Sequence, residues 1–239
     1  MSQDATVWQS PEVAQAFLKG VRGAFPHAAD QLAIMCQLLQ TGRPFRRFLD
    51  LGCGDGVLTA AVRRHWPDAE VVLIDFSDPM LDAARARFGV GTTILNRDFA
   101  DSDWADGLGP FDAVVSGFAV HHHPDDRKRR IYRDVFSLLA PGGWFVNIEH
   151  TASASPLGNR LWEQQMVEAL YRRRQQQDPT VSREQVHHEF TSRQEREADI
   201  LAPVWDQCDW LRAIGFIDVD CFFKSFELAV FGGRAPAGA

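Results

Sequence analysis

Three consecutive imidazoles, His121-His122-His123, close the segment Ser116-Gly117-Phe118-Ala119-Val120 and are followed by Pro124. Imidazole titrates near neutrality, so one of them is a candidate to take a proton from an acceptor hydroxyl or amine. A second acid–base pair, Glu149-His150, ends another apolar run, and His121, His150 and Glu149 are the catalytic candidates of the chain. The competing reading makes them hydrogen-bonded loop and strand-end groups that shape a site and move no proton. Consecutive histidines predict no metal centre, because neighbouring side chains of an extended segment point apart.

A different chemistry is suggested by Asp50-Leu51-Gly52-Cys53-Gly54-Asp55-Gly56. Glycines between a strand and a helix let main chain approach a ligand where side chains would collide. Their spacing is Gly-x-Gly-x-Gly, with Val57 where a dinucleotide fingerprint has its third glycine, which disfavours a pyrophosphate. Asp50 and Asp55 would repel phosphate and suit a ligand bearing an ammonium group. Asp75, one strand–helix–strand unit further on, is placed to accept from two ribose hydroxyls, and Asp98-Phe99 to meet an adenine amine and ring. Each acid alone reads as a strand-end or cap carboxylate. In this order, at successive strand ends, they read as one site.

The elements that must hold these residues alternate. Strands are expected at 46–51, 70–75, 92–95, 111–116 and 144–149, and helices at 57–66, 78–88 and 125–139, with Ser77 or Asp78 as an N-cap. That rhythm predicts a parallel sheet covered on both faces. Upstream, Val13, Ala16 and Phe17 mark one helical face and Leu32, Met35, Leu38 and Leu39 another, separated by Pro26-His27. From Ser155 to Leu201 the pattern changes to two long, charged helices broken near Asp178-Pro179, and 205–214, 216–223 and 225–231 read as a helix and a closing antiparallel pair. The expected organisation is one domain over 1–239: an N-terminal helical cover at 1–42, a ligand-binding core at 43–150, a helical insertion at 151–202 and the closing helix and hairpin at 203–234. The tail from Ala235 is expected to fray.

Taken together, Leu49 to Gly56, Asp75, Asp98-Phe99, Phe111-Asp112-Ala113-Val114-Val115 and Leu139-Ala140-Pro141-Gly142-Gly143 resemble the motifs of class I S-adenosylmethionine (SAM)-dependent methyltransferases. The resemblance covers roughly residues 45 to 150. It implies an α/β, Rossmann-like, seven-stranded, mostly parallel sheet with an antiparallel last strand and a helical lid after the fifth strand. It also implies SAM as cofactor, held by Asp50, Gly52, Cys53, Gly54, Asp75, Phe76, Met80, Asp98, Phe99, Ser116, Gly117, Phe118 and His121. The flanks, Val21 to Pro26 and Phe216 to Gly232, are more weakly similar to the branch containing the tRNA uridine carboxy-SAM transferase.

Bulk properties bound the acceptor. The formal net charge of -7 offers no global field for phosphate backbones or anionic membranes, which favours a small-molecule acceptor over nucleic acid. The runs Arg127 to Arg130 and Arg172 to Arg174 leave tRNA docking as an alternative, and a catalytically silent SAM-binding module is another. Cys36, Cys53, Cys208 and Cys221 form no Cys-x-x-Cys pair, so neither structural zinc nor arsenite chemistry is indicated. With no signal-like start and no run of ~18 apolar residues, a cytoplasmic location away from membranes is expected; a homodimer is left open. In the insertion, Trp162, Met166, Leu170 and Tyr171 share helical spacing and either face the pocket or dock the insertion. Arg193 and Arg196 either meet an anionic group or pair with Glu195 and Glu197.

Overall fold

The computed structural model describes residues 5–16, 25–41, 46–193, 196 and 198–238. Apolar runs that are buried on both faces form the middle of its sheet: β1 (Arg47–Leu51), β2 (Glu70–Asp75) and β4 (Phe111–Gly117), flanked by β3 (Thr93–Asn96) and β5 (Leu139–His150). Near-continuous hydrophobic strands of this kind need helices on both sides. One face carries α2 (Ala28–Gln40), α3 (Val57–Arg63) and α4 (Asp78–Phe88), with Met35, Leu58, Val62 and Leu81 in its core. The other carries α5 (Asp125–Leu138) and α8 (Val204–Ile214), through Ile131, Tyr132, Cys208 and Leu211.

The strand order is β3-β2-β1-β4-β5-β7-β6, where β6 (Ile217–Ser225) and β7 (Leu228–Arg234) are the hairpin. β1 to β5 run parallel, and β7 is antiparallel to both β5 and β6, giving the seven-stranded, mostly parallel mixed sheet that the sequence resemblance implied. Strand order reverses between β1 and β4, and an open α/β sheet has its ligand crevice at the carboxyl ends beside such a switch point. Register aligns those ends: Leu51 lies opposite both Ile74 and Ser116, and Asp75 opposite Asn96.

Two further helices, α6 (Pro156–Gln175) and α7 (Arg183–Thr191), follow β5. Their N-caps are Ser155 and Ser182, whose hydroxyls accept from Gly158 N at 3.2 Å and Gln185 N at 3.0 Å. Trp162, Met166, Val167, Val186 and Phe190 seal the pair onto Leu228 of β7. The helices therefore form a cap standing over the carboxyl ends of the strands.

Several details depart from the sequence pattern. In α1 (Pro11–Ala16) the buried residue is Ala14, while Ala16 is exposed; Phe17 and residues 21–24 lie outside the described residues, as do 1–4 and 42–45. In α2 the buried positions are Gln31, Met35, Cys36 and Leu39, with Leu32 and Leu38 only partly covered. β5 begins at Leu139, because Pro141-Gly142-Gly143 form an irregular start to the strand where a loop was expected. Ser77 occupies the N-cap position of α4 without capping it; its hydroxyl donates to Trp8 O instead, at 2.6 Å. Ala235 is held in place, since its amide donates to Gly143 O (2.9 Å) and its carbonyl accepts from Gly142 N (3.1 Å). No helix of the described residues is long and apolar enough to cross a membrane.

Candidate active site

At the end of β1 the chain turns back across β2. The amides of Gly52 and Cys53 both donate to Ile74 O, at 2.8 and 2.9 Å. Gly52 has φ +67°, and a Cβ there would overlap that of Ala119, so only glycine lets the loop approach the β4 end. Asp75 fixes the other side. Its Oδ2 accepts from Gly54 N (2.8 Å) and its Oδ1 from Ser77 N (2.9 Å). Burial pushes the Asp75 carboxyl above its ordinary value, and the amides of Ser77 and Gly54 oppose that rise. Asp98 is tethered in the same manner, by Ala100 N at 2.7 Å.

These groups open onto a cavity of about 270 Å3 that runs along the carboxyl edge of the sheet. Gly52, Cys53, Gly54, Asp75, Phe76, Met80, Asp98, Phe99, Gly117, Phe118 and His121 all line it. Asp50 and Ser116 do not. The buried Asp50 carboxylate accepts from Thr59 N (3.0 Å) and Thr59 Oγ1 (2.7 Å), which anchors the first turn of α3, and Ser116 Oγ donates to Leu51 O (2.8 Å). Asp55 pairs with Arg87 at 2.7 Å. The acidic surplus read from the loop is thus spent within the protein, and Asp75 and Asp98 are the carboxylates that face the cavity here. Glycine main chain, two acceptor carboxylates and the apolar Phe99 and Met80 suit a nucleoside whose hydroxyls and amine donate hydrogen bonds.

Further along, Phe118 adopts φ +53°, an uncommon conformation for a bulky residue, and its ring stacks on Phe25 at 4.5 Å. The next residues form a 3-10 turn, Val120–His122, and this changes the sequence expectation for the histidines. In a turn, neighbouring side chains need not diverge, and the His121 and His122 rings lie 4.0 Å apart. His121 Nδ1 meets Glu149 Oε1 at 2.5 Å and its Nε2 meets Asp199 Oδ1 at 3.2 Å. His150 repeats the arrangement: Nε2 lies 2.8 Å from Glu227 Oε2 and Nδ1 3.6 Å from Asp199 Oδ2. Carboxylates and imidazoles therefore alternate from Glu149 through His121, Asp199 and His150 to Glu227.

The electrostatics follow from that alternation. Burial opposes a charge on His121, but Glu149 and Asp199 outweigh it and push the imidazole up to about 9. His150 is raised too, where Asp199 and Glu227 overcome its burial. Asp199, despite burial, is held well below the usual carboxylate range by His121 and His150. His122 moves the opposite way, driven down by burial and then by the His121 charge, and burial with Arg127 and Lys128 takes His123 to about 4. Glu149 is fully buried behind His121 and does not line the cavity, whereas His150 does.

The cap supplies the remaining wall. Trp162 and Met166 line the cavity and also belong to the core of the cap, so the docking and pocket-facing readings hold for the same side chains; Leu170 and Tyr171 only pack. Arg193 and Arg196 reach the cavity as well, Arg196 facing Glu163 at 3.5 Å. Glu195 and Glu197 lie outside the described residues. Sequence reasoning missed Asp199 and Glu227. The first sits in a uniformly charged stretch and carries no signal, but Glu227, a carboxylate between Phe226 and Leu228 in an apolar hairpin, was detectable as a misplaced charge.

The core of the chain is similar to known proteins. Residues 48–143 match the family model described as a methyltransferase domain. This segment is a class I methyltransferase domain. S-adenosyl-L-methionine is the cofactor of such a domain, and the glycine loop and Asp75 lie within the matched residues. Among curated proteins, demethylmenaquinone methyltransferase of Thermus thermophilus is 36% identical over 107 residues, covering 44% of this chain and 47% of that protein. Ribosomal RNA small subunit methyltransferase C of Salmonella arizonae is 33% identical over 143 residues, covering 57% and 41%. The chain thus matches less than half the length of either relative. An O-methyltransferase family protein from Burkholderia thailandensis superposes with a TM-score of 0.67 at 16% identity, over 96% of this chain and 60% of that one, which is a likeness of fold.

Proposed function

We propose that this chain transfers a methyl group from SAM to a small, largely apolar acceptor bound between the β4 and β5 ends and the helical cap. The observation that carries this reading is the continuity of one cavity. It begins at the glycine loop and Asp75, passes the stacked Phe118 and Phe25, and ends between the histidines and Trp162, Met166 and Phe190. In this reading Asp75 accepts from the ribose hydroxyls, Asp98 from the adenine amine, and Phe99 and Met80 flank the ring. Gly52 to Gly54 and Phe118 would bracket the remainder of the cofactor.

Bound SAM supplies an electrophilic methyl on a sulfonium with a neutral leaving group. An acceptor lone pair aligned with that methyl would take it by in-line displacement as the sulfur–methyl bond breaks, and a hydroxyl or amine acceptor would release its proton to solvent. Such a reaction gains most of its rate from positioning and exclusion of water. His121 has carboxylate partners on both ring nitrogens, leaving neither as a base in this arrangement. Its role in this proposal, shared with His150, is to form the polar end wall against which the acceptor is packed, with Glu149 fixing the His121 ring.

The test is formation of S-adenosylhomocysteine and a methylated product when the protein is given SAM with a panel of phenols, aromatic amines and heterocycles, or with tRNA and ribosomal RNA. Turnover of small aromatic compounds alone is the expected result. Turnover confined to RNA would replace the small-molecule assignment, and SAM binding without turnover on any acceptor would favour a silent module.

A further inference from the structure

The proposed methyl transfer needs no group at the centre of the histidine cluster except protons, yet the atoms gathered there have the types and spacing of a metal coordination sphere. His121 Nε2 lies 3.2 Å and His122 Nδ1 3.5 Å from the same atom, Asp199 Oδ1. His150 Nδ1 stands 3.6 Å from the other Asp199 oxygen. When nitrogen and oxygen donors bind zinc at about 2.0–2.1 Å in a tetrahedron, neighbouring donors are separated by about 3.3 Å. One donor atom from each of His121, His122 and Asp199 falls within 4.8 Å of the others.

The surroundings have the features of a supported site. Metal-bound histidines characteristically give their second nitrogen to a carboxylate, which fixes the ring and raises its basicity. Glu149 stands on Nδ1 of His121 at 2.5 Å, and Glu227 on Nε2 of His150 at 2.8 Å, each on the nitrogen facing away from Asp199. Asp199 is also fixed by its neighbours. Ile200 N donates to His121 O at 2.9 Å, and Ile200 O accepts from Nζ of the fully buried Lys128. A short strap from the cap is thereby tied to the turn that carries His121 and His122.

We propose that His121, His122 and Asp199 bind one divalent transition-metal ion of the zinc class at the acceptor end of the cavity, with the fourth position, on the side of His150, open to the acceptor. Coordination displaces the proton that joins Asp199 to His121 and the contact of His122 Nδ1 with Ala198 O, and leaves Glu149 as the outer partner of His121. Imidazole and carboxylate donors without thiolate favour zinc-like or ferrous ions over copper(I), and over calcium and magnesium, which prefer oxygen alone. An ion there would act on the acceptor oxygen as a Lewis acid and lower its pKa. Only this role rests on the methyl-transfer reading; the site itself rests on the geometry of the side chains.

The experiment is titration of cobalt(II) into untagged, chelator-treated full-length protein, followed by its visible d–d absorption, with zinc added afterwards in competition. Wild type is expected to develop saturable bands at one equivalent that zinc abolishes, without the sulfur-to-cobalt bands of thiolate ligation. Asp199→Asn and His122→Gln are expected to weaken cobalt binding by at least about tenfold, and Glu149→Gln by about tenfold or more through its contact with His121. Far-ultraviolet circular dichroism and a thermal melt of each variant check that it is folded, and the three variants are read independently. Absent or non-saturating bands in wild type, or bands of undiminished affinity in the folded variants, would overturn the site. Neither result depends on turnover, so failure of the metal proposal and failure of the methyl-transfer reading are separate outcomes.

Discussion

At the glycine-loop end of the cavity Asp75 and Asp98 are bound to main-chain amides, whereas at the histidine end the imidazoles and carboxylates are bound chiefly to one another. Asp75 accepts from Gly54 N and Ser77 N, and Asp98 from Ala100 N, partners at most 21 residues away in sequence. His121 reaches Asp199, and His150 reaches Glu227 across 77 residues. The first end is assembled by local turns at the ends of adjacent parallel strands. The second exists only when the cap, the hairpin and the β4 turn are all in place. A site of the first kind can stay fixed while one of the second kind is rebuilt by changing a few cap residues, which is how one fold serves many acceptors.

This division makes predictions that decline in expected size. Trp162→Ala opens a hole in the cap core and should cost about 3–5 kcal/mol of local stability. Acceptor turnover should collapse while the dissociation constant for SAM, measured by calorimetry, changes by less than about twofold; a large loss of SAM affinity would show that the two ends are not separable. Gly52→Val should do the reverse. Its left-handed backbone and the overlap with Ala119 predict a penalty above about 2 kcal/mol, read as a lowered Tm together with loss of SAM binding.

Smaller effects sharpen the same contrast. Thr59→Val removes the hydroxyl that serves the buried Asp50 carboxylate and should destabilise the fold by about 1–3 kcal/mol in denaturant unfolding, with SAM affinity nearly unchanged. Marked loss of SAM affinity in that variant would place Asp50 in the binding site after all. Ser153→Ala deletes one bond to Glu227, 2.7 Å long, and should cost about 1 kcal/mol while altering only the histidine end. Its signature is a changed acceptor KM at constant SAM affinity.

The same contrast governs what could be read from the sequence. Glycine spacing and acids at successive strand ends report local geometry, so Gly52, Gly54, Asp75 and Asp98 were identifiable, together with the sheet and its antiparallel close. What that pattern does not contain is direction. Asp50 shares the loop with Gly52, yet its carboxylate points back to Thr59, because an acid at a buried strand end is equally able to anchor the next helix. The histidines were recognised as chemistry, but their partners were not: Asp199 and Glu227 come from elements whose placement depends on tertiary packing. Treating 121–123 as extended also hid the 3-10 turn that brings His121 and His122 together.

Calorimetric titration of SAM into wild type and Asp75→Ala asks whether the chain holds SAM at the glycine loop with Asp75 as the ribose acceptor. One site is expected in wild type and an affinity at least about tenfold weaker in the variant, the loss that follows from removing hydrogen bonds to a charged group. Absence of binding in wild type, or equal affinity in a folded Asp75→Ala protein, would contradict that assignment.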